Sequence, residues 1–167
     1  MEKSVTTEIR VLGNADADAV SEIAFSTWPD TYGKILSANQ LAYMLDKFCT
    51  PDAMLANMQQ GQRFLGCFAS GKLIGFAAFE LKDPKTAHLN KLYVLPEAQG
   101  LKAGSKLIKN VIASCIADGA EQITLNVNRF NHARHFYEKL GFETVSEVDI
   151  EIGQGYLMED FVMCKNI

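Results

Sequence analysis

The sequence predicts one mixed α/β domain of the α+β class, built around a single sheet. A chain of 167 residues is long enough to bury one core. No internal repeat, low-complexity run or flexible linker divides it. The hydrophobic pattern changes after Gly61, from helical spacing to short apolar runs bounded by turn residues. Helices followed by alternating strands and helices indicate a single sheet with packed helices.

The first third of the chain predicts one strand and three helices. Thr7–Leu12 has the pattern of a strand, and apolar residues recur at helical spacing over residues 16–25. Ser37 followed by Gln40 forms a capping box that opens a second helix. Thr50 before Pro51 supplies an N-cap and a proline at the first helical position, so a third helix begins there.

The rest of the chain predicts six strands and two helices. The pair Ser70-Gly71 separates two apolar runs, which is a strong signal for a hairpin. Apolar residues at helical spacing over 107–116 predict an amphipathic helix that ends near Gly119. The predicted strands are Phe64–Ala69, Leu73–Glu80, His88–Val94, Gln122–Val127, Thr144–Ile150 and Tyr156–Met163, and the second helix is Asn131–Leu140.

Composition narrows the classes of function. A formal net charge of -4 makes nucleic acid an unexpected partner. No apolar stretch is long enough to span a bilayer, and the N-terminus has no apolar signal core, so we expect a cytoplasmic protein that does not bind membranes. The four cysteines form neither a C-x-x-C pair nor a disulfide framework, and we expect no metal site.

The segment Leu92–Ser105 carries the most information about chemistry. A strand ends, a turn containing Gly100 and Gly104 follows, and the amphipathic helix begins. Backbone N–H groups and the helix dipole converge at such a turn, so it predicts an anion site suited to a pyrophosphate. Glycines allow close approach of the ligand, and Lys102 adds a positive charge. Neither G-x-G-x-x-G nor a Gly-Lys-Ser/Thr ending is present, which argues against a dinucleotide fold or a Walker A loop.

Two blocks in this order resemble the GNAT (Gcn5-related) N-acetyltransferase superfamily. The turn Gln99–Ser105 is similar to the Gln/Arg-x-x-Gly-x-Gly/Ala loop of that family, although Lys102 stands where the family usually has the middle glycine. Asn131-x-Ala-x-x-x-Phe-Tyr-x-x-x-Gly-Phe is similar to its second block. Lysine can still donate its backbone N–H there if its φ stays negative. The resemblance covers residues 7–163 and implies a sheet of about seven strands with helices on both faces.

The resemblance also implies acetyl-CoA as the cofactor. In such proteins two central parallel strands, here His88–Val94 and Gln122–Val127, splay apart and bind the pantetheine arm along their free edges. Backbone N–H near Val94 would polarise the thioester carbonyl. Tyr137 corresponds to the family tyrosine that protonates the departing thiolate. The implied cofactor-binding residues are Leu92, Tyr93, Val94, Gln99, Gly100, Leu101, Lys102, Ala103, Gly104, Ser105, Asn131, Phe136 and Tyr137.

An amine acceptor must lose a proton before it attacks, so the site needs a base. His88 is the candidate, at a position similar to one where relatives carry a glutamate; a water chain ordered by Asn90 is the alternative. Strand alternation predicts that His88 and Asn90 share a face with Leu92 and Val94, opposite Tyr93. Asn131 is expected to be the N-cap of its helix.

Residues 25–32 combine three aromatic side chains with Asp30, a set that suits a cation. Trp28, Asp30 and Tyr32 are therefore the candidate acceptor-binding residues, with Asn90. The tail adds Glu159 and Asp160 beside a strand. These features resemble, more loosely, bacterial spermidine/spermine-type acetyltransferases.

We therefore expect an N-acetyltransferase that moves an acetyl group to a primary amine of a small cation by direct attack in a ternary complex. No cysteine lies near either motif, so no covalent intermediate is expected. Two alternatives stay open, a protein or peptide α-amine acetyltransferase and a non-catalytic CoA-binding protein. A homodimer that pairs the last strands is also open.

Overall fold

The computed structural model describes residues 5–98 and 100–167. The strands are β1 (Thr7–Leu12), β2 (Arg63–Ala69), β3 (Lys72–Asp83), β4 (Thr86–Val94), β5 (Gln122–Asn128), β6 (Glu143–Gly153) and β7 (Tyr156–Asn166). The helices are α1 (Ala17–Tyr32), α2 (Ala38–Phe48), α3 (Pro51–Gln59), α4 (Ala103–Ala117) and α5 (Ala133–Lys139). Each strand and helix predicted from the sequence is present; β1 has the predicted bounds, and the other strands differ at one or both ends.

All seven strands form one sheet in the order β1-β2-β3-β4-β5-β7-β6. Every neighbouring pair is antiparallel except β4 and β5, which run parallel at the centre. Their pairing begins at Thr86 and Gln122 and stops at Leu89 and Leu125. Beyond that point β4 continues beside β3 to Val94, and β5 continues beside β7 to Asn128. The two parallel strands therefore splay apart over their second halves, as expected.

The helices cover both faces of this sheet. On one face Trp28 of α1 packs on the Tyr93 ring of β4, with the ring centroids 5.8 Å apart, and Lys91 donates to Asn57 of α3 at 2.8 Å. On the other face α4 buries Leu107, Ile108 and other apolar residues of its inner side against the sheet. This arrangement leaves the gap between β4 and β5 open toward both faces.

Local side-chain contacts begin the helices of the first face. Ser37 Oγ accepts from the Gln40 N–H at 3.1 Å, and Thr50 Oγ1 accepts from the Ala53 N–H at 3.2 Å; each such cap contributes about 1 kcal/mol. The Gln40 side chain donates to the Leu157 carbonyl at 2.9 Å, so the second half of the expected capping box instead ties α2 to β7. Among the described residues, no helix is long and apolar enough to cross a membrane.

Helix α1 extends about two turns beyond the apolar repeat at 16–25. It continues through Pro29 to Tyr32. The lost hydrogen bond of a proline inside a helix is offset here because Trp28 and Tyr32 pack together, at 5.0 Å between ring centroids, over the sheet. Tertiary packing thus outweighs the tendency of Pro29 to end the helix.

A β-bulge in β4 overturns the predicted alternation. Lys91 lies opposite Ala78 and Leu89 lies opposite Phe79, so Asn90 is an extra residue with no partner on β3. The bulge returns His88, opposite Glu80, to the face that carries Lys91 and Tyr93. The expectation that His88 shares a face with Leu92 and Val94 is therefore wrong.

Candidate active site

The turn before α4 has the geometry of an anion cradle. Gly100 adopts a φ of +94°, and Lys102, the N-cap of α4, adopts φ 57° and ψ 30° without a side-chain cap. None of the described residues accepts a hydrogen bond from the backbone N–H groups of Gly104 and Ser105. These free donors, at the positive end of a four-turn helix, fit the pyrophosphate of a coenzyme A. Gln99 belongs to the same prediction but lies outside the described residues.

Lys102 differs from the expectation for its backbone. From the sequence we expect Lys102 to have a negative φ, whereas the observed backbone conformation is left-handed, the one that glycine adopts most easily. The loop therefore keeps a glycine-like path at the cost of local strain. The Lys102 side chain is exposed beside the cradle.

A cavity of about 460 Å³ begins at this turn. Gly104 lies at its wall, where a Cβ would stand 3.5 Å from the Phe136 ring and take up part of the space that a ligand needs. The predicted cofactor residues that line it are Leu92, Val94, Gly100, Lys102, Ala103, Gly104, Ser105, Phe136 and Tyr137. Leu101 does not line this cavity; it is half-buried and packs against the core.

The gap between β4 and β5 forms a second cavity, of about 180 Å³. Leu92, Val94, Ala133 and Tyr137 line both this cavity and the first, so the two are neighbours. Tyr93 and Asn131 also line the gap. The Asn131 side chain accepts from the Ala133 N–H at 2.9 Å, although α5 begins two residues later than expected and its N-cap is His132.

Tyr137 lies where the two cavities meet. Its side chain is 8% exposed and packs edge-on against Phe136 and Phe142. Burial, and next the proximity of Tyr32, raise the pKa of the Tyr137 hydroxyl well above its ordinary value. The hydroxyl therefore stays protonated throughout the physiological pH range.

A third cavity, of about 240 Å³, opens on the α1–α2 side of the sheet. It shares Tyr32, Leu89, Asn90, Lys91, Tyr93 and Asn126 with the strand gap. We call it the acceptor pocket. Trp28, Met44 and Phe48 supply apolar walls, and His88, Asn128 and Asp160 supply polar ones. A channel therefore runs from the α4 turn, through the gap, to this pocket.

His88 faces the acceptor pocket with a defined hydrogen bond. Its Nδ1 lies 2.7 Å from Thr124 Oγ1, and that hydroxyl is placed to donate to the Ala87 carbonyl at 3.4 Å. When the Thr124 hydroxyl donates to the Ala87 carbonyl, Nδ1 is the donor of the 2.7 Å bond and Nε2 keeps its lone pair. Burial, followed by the charge of Lys82, lowers the His88 pKa below 6.5, so the ring is neutral at pH 7.

Asn90 lies at the bulge and borders both the gap and the acceptor pocket. Its Nδ2 is buried and has no hydrogen-bond partner among the described residues. A buried donor without a partner is costly, so this group is suited to a bound ligand or water.

The structure separates the aromatic candidates. Trp28 and Tyr32 lie one helical turn apart and line the acceptor pocket. Phe25 is 42% exposed and does not line the acceptor pocket, and exposed Asp30 borders a different cavity, beside Lys34 and His132. Periodicity explains the position of Asp30, because i and i+4 share a helix face whereas i+2 does not.

Two charged residues of the acceptor pocket were not among the predicted site residues. Asp160 is 3% exposed on β7, and burial raises its carboxyl pKa, although Asn126 and then Arg129 act in the opposite direction. Lys91 donates to Asn57 and Gln62, and burial lowers its pKa to about 8. In the sequence Asp160 is one of two adjacent acids, and the alternating pattern of β7, with Met158 and Val162 at spacing two, distinguishes it from Glu159.

No group of three or more candidate metal ligands occurs among the residues that the structure describes. His132 and His135 stack at 6.3 Å between ring centroids, and His135 is exposed near Glu138. Cys49, Cys67 and Cys115 are buried free thiols, and Cys164 is half-buried.

Comparison with known proteins agrees with this geometry. The acetyltransferase (GNAT) domain family matches residues 34–155. A spermidine N(1)-acetyltransferase of Thermoplasma acidophilum is 30% identical over 158 residues, which cover 91% of this chain and 95% of that protein. An uncharacterised N-acetyltransferase of Mycobacterium tuberculosis is 27% identical over 154 residues, with coverage of 91% and 98%.

Among solved structures, the PaiA N-acetyltransferase of Thermoplasma acidophilum in complex with coenzyme A has a TM-score of 0.83 at 28% identity, covering 97% of this chain and 99% of that one. The family match spans well over half of the sequence, and the splayed strands and helix-terminal cradle have the form that the resemblance implies. The chain therefore belongs to the GNAT family of N-acetyltransferases.

Proposed function

We propose that this enzyme acetylates a primary amine of a small cation such as a polyamine, by direct attack in a ternary complex with acetyl-CoA. The observation that carries the proposal is the channel, which offers a phosphate cradle at one end and a pocket with aromatic and acidic walls at the other. A relative named for spermidine acetylation supports the choice of acceptor.

Acetyl-CoA, when bound, supplies an activated acetyl thioester. Backbone N–H groups of Lys102–Ser105 would hold its diphosphate, with Gly100 and Leu101 completing the turn. The free edge of β4 at Leu92–Val94 would bind the pantetheine arm as an added strand, and N–H groups near Val94 would polarise the carbonyl. Phe136 and Asn131 would complete the walls.

His88 would act as the base. Its unprotonated Nε2 accepts the proton that the acceptor ammonium must lose, directly or through a water ordered by Asn90. The neutral nitrogen would then form a bond to the acetyl carbon as the bond from that carbon to sulfur breaks. The Tyr137 hydroxyl would give its proton to the departing sulfur, so that it leaves as a thiol, and the second proton lost by the nitrogen as it becomes an amide would restore that hydroxyl through water.

Trp28 and Tyr32 would line the path of the acceptor. Their rings face the pocket together with Tyr93, so a cationic chain passes over π-faces that attract it by about 0.5–2 kcal/mol. Asp30 borders a different cavity and does not line the acceptor pocket.

The proposal is tested by release of coenzyme A thiol from acetyl-CoA in the presence of spermidine, putrescine, amino acids, aminoglycosides and a peptide with a free α-amine. We expect the aliphatic polyamines to give the highest kcat/KM. A peptide that exceeds them would instead favour α-amine acetylation of proteins.

Heat stability provides the companion measurement. Acetyl-CoA at 100 times its Kd should stabilise the fold by about 2.7 kcal/mol. Stabilisation without thiol release above the hydrolysis background for any amine would indicate a CoA-binding protein without this activity.

A further inference from the structure

Asp160 is a buried carboxylate with no ion pair among the residues that the structure describes. It is 3% exposed and lines the acceptor pocket. The guanidinium of Arg129 pairs with Glu147 and Asp149 instead. Asn126 and the charge of Arg129 favour its ionised form, but neither makes an ion pair with it, so a buried carboxylate in the wall of a cavity is placed to bind a cationic ligand.

The strand register fixes how far Asp160 lies from the base. His88 is opposite Thr124 on β5, and Asp160 is opposite Asn128 on the same strand. These two β5 positions are separated by four residues, or about 13 Å along the strand. Because His88 and Asp160 both line the acceptor pocket, they mark two ends of it. One nitrogen cannot contact both.

The positive charge of Lys91 in the same pocket indicates at which end of the pocket a second cationic group binds. Lys91, on the β4 side, keeps its ammonium against Asn57 and Gln62 and repels a second cation there. Asp160, on the β7 side, attracts one. The walls between them include the aromatic rings of Tyr32 and Tyr93, which tolerate an alkyl chain and a cation.

We propose that Asp160 binds the second, non-reacting ammonium group of the acceptor and thereby selects di- and polyamines over monoamines. The inference rests on the proposed function, since it places the reacting amine near His88. It adds a length rule, because the two nitrogens must span the distance between His88 and Asp160.

The first experiment compares kcat/KM of the wild-type enzyme for butylamine, putrescine and spermidine, with acetyl-CoA saturating. A hydrogen-bonded charge pair favours the diamine over the monoamine by about 10–100-fold. Equal values for butylamine and putrescine or spermidine would overturn the inference while leaving acetylation of amines intact. No turnover with any amine would instead contradict the proposed function.

The second experiment uses Asp160→Asn, with Glu159→Gln as the matched control. Glu159 is the adjacent acid of β7, is exposed, and does not line the pocket. Asp160→Asn should raise KM for the polyamines about 10–100-fold and change kcat/KM for butylamine less than about 3-fold, whereas Glu159→Gln should change neither. An equal loss for monoamine and polyamine would show that Asp160 acts only on the fold.

Asp160→Glu keeps the charge and moves it one methylene further into the pocket. In this variant we expect the preferred diamine in a series from 1,3-diaminopropane to cadaverine to become shorter. An unchanged ranking in a folded Asp160→Glu enzyme would contradict direct pairing between this carboxylate and the distal ammonium.

Discussion

At the scale of single residues, the site depends on groups whose environment is far from that of water. Burial keeps the Tyr137 hydroxyl protonated and the His88 ring neutral, which are the states that an acid and a base need at the start of the reaction. Transfer of an acetyl group from a thioester to an amine needs both an acid and a base, because the amine loses a proton and the sulfur gains one.

Tyr137→Phe should lower kcat by about 100-fold or more, in the range of general acid catalysis, because only the hydroxyl proton is removed. The ring still packs between Phe136 and Phe142, so the Kd for acetyl-CoA should stay within about 2-fold. Turnover and isothermal titration measure the two quantities. Tyr156→Phe, which alters a ring that packs tilted against Tyr43 outside the three cavities, is the control. Wild-type turnover in Tyr137→Phe would remove this residue as the acid.

The pH dependence of kcat/KM tests His88. Its pKa is lowered below 6.5, and the neutral ring is the active form, so activity should be present above that lowered pKa and lost as the pH falls through it. His88→Gln should lose this acid limb and about 100-fold of kcat/KM. The increase in kcat/KM as the pH approaches the pKa of the amine acceptor, near 10, should remain in this variant.

His135→Gln is the control for this profile, because His135 is an exposed histidine on α5. An unchanged acid limb in His88→Gln would assign the limb to another group, and a water chain would then serve as the base.

At the scale of helices and strands, the turn before α4 stores strain at Lys102. A non-glycine residue in the left-handed region costs about 1–2 kcal/mol, whereas glycine adds about 0.5–1 kcal/mol of backbone entropy. Lys102→Gly should therefore raise the free energy of unfolding by up to about 1 kcal/mol, or a Tm rise of about 2–4 °C.

Lys102→Ala separates the backbone from the charge. It removes the same ammonium but keeps the strained φ, so no rise in Tm is expected from calorimetry. Both variants should weaken acetyl-CoA binding by a similar factor. A Tm rise in Lys102→Ala equal to that of Lys102→Gly would show that charge, and not backbone conformation, limits stability here.

Much of the element order follows from local pattern. Residues close together in the sequence are enough to predict the strand periodicity, the Ser37 and Thr50 caps and the amphipathic face of α4. The structure contains each of these features. The bulge at Asn90 is different, because it depends on which β3 residue each β4 residue meets. No local signal marks it, and without it His88 falls on the wrong face.

The acidic residue of the acceptor pocket also could not be identified from local sequence pattern. Asp30 lies beside aromatic residues in the sequence, but helical spacing turns it outward. Asp160 reaches the pocket because β7 pairs with β5, a contact across about 30 residues of chain. The cofactor turn could be predicted, since one strand, one turn and one helix form it in continuous sequence.

At the scale of the whole molecule, the proposed mechanism has two ligands that enter one channel from opposite faces of the sheet. Among the described residues, the cradle at α4 and the acceptor pocket behind α1 and α2 share no lining residue with each other, and each shares several with the strand gap. Neither ligand would need to leave before the other arrives, which is the condition for the proposed ternary complex.

Steady-state rates measured over a matrix of acetyl-CoA and spermidine concentrations test this most directly. A ternary complex predicts double-reciprocal lines that intersect, with spermidine required for thiol release above background. Parallel lines would reveal a ping-pong mechanism with an acetylated enzyme, and would contradict the account.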